Sequence, residues 1–151
     1  MRKRFEQQLS LGIIPISEVS INLKSRHELP PLLYALQYVF KDADLSELIF
    51  EILEAKIQQG KQRTGRLGMS LWEILVLGSV KLNLDIDYDF LHDYANNHAT
   101  FRGILGVQRS DYTRGQQYEL QTLKDNVRLL DAATIMQINE LIVKGAHGLI
   151  K

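Results

Sequence analysis

The 151-residue sequence contains no cysteine, which removes disulfides, thiolate metal sites and cysteine nucleophiles at once and is compatible with a reducing compartment. It has no excess charge of either sign, since 18 basic residues balance 18 acidic ones. A bulk electrostatic argument for nucleic acid is therefore excluded, and only the placement of charge can speak for it. Long apolar runs are also missing. The most apolar window, Leu71 to Val80, is about half of a bilayer-spanning length and carries Glu73. The basic start Met1-Arg2-Lys3-Arg4 has no apolar run behind it of the kind a signal peptide needs. These absences predict a cytoplasmic protein without a membrane segment. There is no internal repeat, no low-complexity stretch and no sustained strand-type alternation.

What is present is a core and helical punctuation. Hydrophobic residues make up 45% of the chain, enough for one buried core. The first 26 residues lack a clear period. Within them, Leu9 to Ile16 reads as a short strand or an extended arm, and Pro15 argues against a central strand. Pro30 and Pro31 suit the first turn of a helix, where a missing N–H costs little. Asp44 or Ser46 can cap a second helix, with Leu45, Leu48, Ile49, Ile52 and Leu53 at three- and four-residue steps and Gly60 as its stop.

After the polar connection Lys61-Gln62-Arg63-Thr64-Gly65-Arg66-Leu67-Gly68, Ser70 and Glu73 form a capping-box signature. The helix they open, Leu71 to about Leu84, is apolar nearly all round, as a central buried helix would be. Asp87 can cap a helix from Tyr88 to about Asn97, and a short one from Thr100 to Leu105 ends near Gly106. Val107 to Gln117 reads as a loop, Tyr118 to Leu129 as a helix. Asp131 caps a last helix bearing Ile135, Ile138 and Ile142 on one face, ended by Gly145 and Gly148. The expected fold is all-α, a compact bundle over residues 27–151 with a helix-turn-helix-like segment, preceded by an N-terminal arm over 1–26.

Four constellations are candidates for chemistry. Asp85, Asp87, Asp89 and Asp93 open like a calcium loop, but the sixth and twelfth positions hold Phe90 and Asn96 where a glycine and an acidic closer are required. Helix capping explains the same aspartates. Asp89, His92 and Asp93 share a helical face at ligand-like spacing, yet no third element supplies matching ligands, so a solvated face is the better reading. Lys56, Lys61, Arg63 and Arg66 form a basic, glycine-containing connection that can track a phosphate backbone or simply join two helices in solvent. It carries no Walker pattern. Finally, helix, short turn and helix around Asp85–Asp87 has the layout of a helix-turn-helix. Its acidic first turn would repel phosphate, which leaves Asn96, Asn97, His98 and Arg102 as the base- or backbone-contacting residues if DNA is read there. Plain packing of two bundle helices accounts for the same pattern.

The stretch from Leu77 to His98, centred on Asp85-Ile86-Asp87-Tyr88-Asp89-Phe90-Leu91-His92-Asp93-Tyr94 and followed by Phe101-Arg102 and Leu105-Gly106, resembles the N-terminal domain of insertion-sequence transposases related to the DDE superfamily. Met1-Arg2-Lys3-Arg4-Phe5-Glu6-Gln7-Gln8, Lys61-Gln62-Arg63-Thr64-Gly65-Arg66 and Leu120-Gln121-Thr122-Leu123-Lys124-Asp125-Asn126-Val127 resemble the same family, in order along the chain. The resemblance implies a helical region that recognises transposon ends and helps assemble a dimer, so the expected partners are terminal-repeat DNA and a second copy. In that family a ribonuclease-H-like domain with three carboxylates and two divalent metals follows. No strand run of that kind occurs before Lys151. The chain is thus expected to hold no cofactor, to assign no acidic residue a catalytic role, and to have no enzymatic activity by itself.

Overall fold

A computed structural model of the chain describes residues 4–5, 13–24, 27–57, 69–108 and 117–149, with the side chains of 145–149 excepted. Among the described residues there are seven α-helices, one short 3-10 turn at Ile16–Glu18 and no strand. The helices are α1 (Leu29–Lys41), α2 (Ala43–Ile57), α3 (Leu71–Leu84), α4 (Tyr88–Asn97), α5 (Ala99–Leu105), α6 (Leu120–Val127) and α7 (Ala132–Leu149).

Everything is arranged around α3. Its residues from Leu71 to Val80 are all buried, and it packs against each of the other six helices. That placement is why its sequence is apolar nearly all round: over Leu71–Val80 no side of it faces water. Ser70 and Glu73 start it with the expected reciprocal capping box. At the other end Asp85 takes a left-handed conformation (φ 53°) and turns the chain into α4, whose N-terminus Asp87 caps through Phe90 N–H at 2.8 Å. Gly106 closes α5 at φ 85°, a conformation that glycine adopts without Cβ strain.

Three boundaries differ from expectation. The cap of α2 is Asp42, not Asp44 or Ser46: its carboxylate accepts from Leu45 N–H at 3.0 Å while its own N–H ends α1 on Tyr38 O. One residue therefore serves both helices. The bond from Leu45 N–H holds the Asp42 carboxyl below its usual pKa. Helix α6 is shorter than the Tyr118–Leu129 pattern, because Glu119 is extended at its start and Tyr118 before it bonds to Glu73 and Asn96. Helix α7, capped by Asp131 through Thr134 N–H at 2.8 Å, runs through Gly145 and Gly148 to Leu149. An interior glycine weakens a helix by about 1 kcal/mol without interrupting its hydrogen bonds. The expected stop at Gly60 lies outside the described residues.

The described part of the first 26 residues is stitched onto the bundle. Ile16 is fully buried, and Gln37 of α1 donates from Nε2 to both Ile16 O (2.9 Å) and Val19 O (2.8 Å). Trp72 N–H donates to Arg4 O at 2.8 Å, Phe5 stacks edge-on against Phe40, and Phe40 against Trp72. Arg4 forks onto Glu54 at 2.8 and 2.9 Å and also pairs with Glu47.

Candidate nucleic-acid interface

Lys61, Arg63 and Arg66 lie outside the described residues. The described residues on either side of them, Ile57 and Met69, are both buried. The start of α3, just beyond Met69, is rigidly built. Glu73, 8% exposed, accepts at Oε1 from Ser70 N–H (3.2 Å) and Ser70 Oγ (3.0 Å), and at Oε2 from the hydroxyl of Tyr118 at 2.5 Å. Tyr118 is only 3% exposed. Burial, reinforced by the Glu73 carboxylate, pushes its phenol well above the ordinary tyrosine pKa.

Three of the candidates on α4 and α5 separate. Asn97 is exposed, with its amide donating to Asp93 Oδ1 at 2.8 Å. His98 links two helices: its N–H ends α4 on Tyr94 O, and its Nδ1 accepts from Phe101 N–H at 3.2 Å to cap α5. Burial lowers its pKa, which favours the neutral ring that such an accepting Nδ1 requires. Arg102 is not a surface cation. It is 5% exposed and its guanidinium donates to Ala95 O at 2.7 Å and Val107 O at 2.6 Å, bracing the α4–α5 corner and the chain after Gly106. The expectation that Arg102 contacts DNA is corrected: its donors are directed inward to backbone carbonyls that would otherwise lack partners.

The neighbouring polar residues are likewise taken up by the fold. Asn96 clamps the backbone of Tyr118, accepting from its N–H at 2.8 Å and donating to its carbonyl at 3.0 Å. His92 Nε2 lies 2.9 Å from that carbonyl. His92 therefore faces the start of α6, apart from Asp89 and Asp93 on the outer side, and no three His, Asp or Glu among the described residues could hold a metal ion together. The outer face of α4 is exposed Asp89, Phe90, Asp93 and Asn97. Such a surface repels phosphate.

Charge is divided unevenly between the described residues and the rest of the chain. Nine of the 18 basic residues (Arg2, Lys3, Arg26, Lys61, Arg63, Arg66, Arg109, Arg114 and Lys151) fall outside the described residues, but only two of the 18 acidic ones, Glu6 and Asp111. The described body is correspondingly acidic. Sequence reasoning missed the Glu73–Tyr118–Asn96 connection; a tyrosine just after a polar loop gave no periodic signal that it would be buried.

Comparison with family models, curated proteins and solved structures returns no match to the chain. No helix among the described residues is long and apolar enough to cross a membrane.

Proposed function

We propose that the chain is a DNA-binding and assembly module of a transposase, which recognises transposon ends through cations in the connections between its helices and not through the outer face of α4. The observation that carries this reading is the division of charge: nine of the 18 basic residues but only two of the 18 acidic ones fall outside the described residues, and Lys61, Arg63 and Arg66 stand together without an acidic residue between them. Cations that neutralise phosphates release counterions, so affinity should fall steeply with salt. The ordered blocks that resemble transposase N-terminal domains supply the DNA class. Labelled terminal-repeat DNA should shift in a gel at moderate salt. The combined variant Lys61→Ala, Arg63→Ala and Arg66→Ala should bind more weakly, with its log K against log salt slope flatter by about 2 to 3 for duplex DNA. Unchanged affinity and slope in that variant would remove the assignment to this connection.

A second reading, a helical interaction domain without direct DNA readout, is favoured by the acidic outer face of α4 and its half-exposed Phe90. It expects association with protein in the absence of DNA and no shift of terminal-repeat DNA at any salt.

A further inference from the structure

The corner between α4 and α5 turns on a single side chain. The N–H of His98 closes α4 on Tyr94 O, and its ring Nδ1 accepts from Phe101 N–H at 3.2 Å to cap α5. Other helices of the described chain are capped by Asp42, Ser70, Asp87 and Asp131, whose oxygens remain acceptors at neutral and mildly acid pH. An imidazole nitrogen accepts only while the ring is neutral, because both nitrogens are donors in the protonated form. A proton on Nδ1 would point at the Phe101 N–H and place a positive charge at a helix N-terminus, where the backbone dipole disfavours it. Helix α5 has seven residues, too few to hold together by helical propensity alone. Its first turn therefore depends on this cap and on packing.

Among the described residues no carboxylate stands by to stabilise the charged ring, and no ion pair reaches His98. On α4, Tyr94 meets it edge-on with centroids 5.4 Å apart, and Asp93 is bonded by Asn97. On α5, Arg102 directs its guanidinium to Ala95 O and Val107 O. Of the elements packed against these two, α3 carries Glu73, bonded to Ser70 and Tyr118, and Lys81, over the Tyr88 ring. Glu18 of the 3-10 turn, Glu28 and Lys41 of α1, and Lys124 and Asp125 of α6 form no ion pair with His98. The ring is half-buried, and burial holds its pKa below the ordinary 6.5, outweighing a hydrogen bond with its own backbone. We propose that His98 is a pH-operated joint: the neutral ring holds the first turn of α5 closed, and protonation uncaps it and loosens the seat of the N-terminal segment. The seat is shown by Gly103, where a Cβ would lie 3.1 Å from both Val19 Cγ atoms, so Val19 rests on bare α5 backbone just beyond the capped turn. The contribution of the cap is complete above 6.5 and is lost as pH falls through the lower folded value. The joint operates in the same way whether or not the chain binds DNA.

The test is an NMR titration of the full chain from about pH 8 to about pH 4.5, following the His98 ring, the Phe101 N–H and the Val19 methyl groups. These signals are specific to their residues, so the titration of other histidines does not obscure them. The His98 midpoint should lie below 6.5. Protection of the Phe101 N–H against exchange, corrected for the intrinsic pH dependence of exchange, should fall about fivefold or more through that midpoint, as expected for the loss of one cap. The Val19 methyl signals should shift with the same midpoint. His98→Asn supplies a capping oxygen that does not titrate, so its Phe101 protection should stay high and flat across the range. His98→Ala should show the low protection at every pH. A His98 midpoint at or above 6.5, or Phe101 protection that is constant through it, overturns the proposal. So does an equal loss in His98→Asn, because the titrating group would then lie elsewhere. Val19 signals that ignore the His98 midpoint overturn the coupling to the N-terminal segment.

Discussion

Replacing Tyr118 by Phe removes a single oxygen atom from the interior, and the structure lets its cost be worked out. The phenol donates to Glu73 Oε2 at 2.5 Å, while Ser70 serves Oε1. Both Tyr118 and Glu73 are buried, so water cannot readily replace the lost donor. Phe fills nearly the same volume, and the ring leaves no cavity. A hydrogen bond to a charged group contributes about 1.5–3 kcal/mol, so Tyr118→Phe should lower stability by about 2–3 kcal/mol. For a domain of this size that is a fall in Tm of about 4–10 °C. Urea titration at pH 7 should show a reduced midpoint with an unchanged slope. Glu73→Gln should also lower stability, because its single amide oxygen can complete the capping box or accept from the phenol but not both. Tyr118 also fixes an alkaline limit. Its folded pKa is raised, so the stability it contributes is complete below the ordinary tyrosine value of 10.0 and is lost as pH rises beyond it. The wild-type advantage over Tyr118→Phe should therefore shrink above about pH 10. A loss below about 0.5 kcal/mol at pH 7 would refute the claim that this bond ties α6 to α3, since that is within the range of neutral surface changes.

Arg102→Met keeps much of the buried stem but strands the carbonyls of Ala95 and Val107; a loss of about 2–4 kcal/mol in urea titration is expected, with unchanged DNA affinity per folded molecule. Gly106→Ala should cost about 1–2 kcal/mol, because φ 85° forces a Cβ against the following carbonyl. Asp85→Gly should act oppositely, raising stability by up to about 1 kcal/mol in the same assay by relieving a left-handed non-glycine residue at a helix C-terminus. Asp131 is held below the ordinary carboxylate pKa by its bond to Lys56 (2.8 Å) and then by those from Thr134. Its contribution is present above that ordinary value of 3.8 and lost as pH falls towards the depressed one. Asp131→Asn should accordingly lower Tm at pH 7, with the gap to wild type narrowing in melts below about pH 4.

The fold was legible where a local rule and the global packing demanded the same thing. Ser70 and Glu73 cap a helix whose apolarity on all sides has one explanation, burial among other helices, and α3 begins and ends where that pattern does. Asp87, Asp131 and Gly106 likewise mark their boundaries by chemistry that acts within three residues. The misreadings occur where two rules competed. Asp42, Asp44 and Ser46 are all competent caps, and only the end of α1 decides among them. Gly145 and Gly148 carry a stop signal that a helix can absorb. Leu48 falls on the apolar period of α2 yet is half exposed, since periodicity alone does not fix how wide the covered stripe is.

The candidate site was less legible, and the reason is specific. A polar side chain within a helix-turn-helix-like stretch can be spent outward on a partner or inward on the backbone, and residue type does not distinguish the two. Arg102 and Asn96 were both offered by the sequence as recognition chemistry; the fold uses both to satisfy carbonyls at places where the chain turns. Such turns are the cost of packing short helices around one central helix, because each break exposes backbone groups that the next helix does not cover. A compact body with many corners therefore draws its own long polar side chains inward. What the corners leave on the outside of α4 is acidic. A search for DNA contacts should therefore begin away from that face, with Lys61, Arg63 and Arg66.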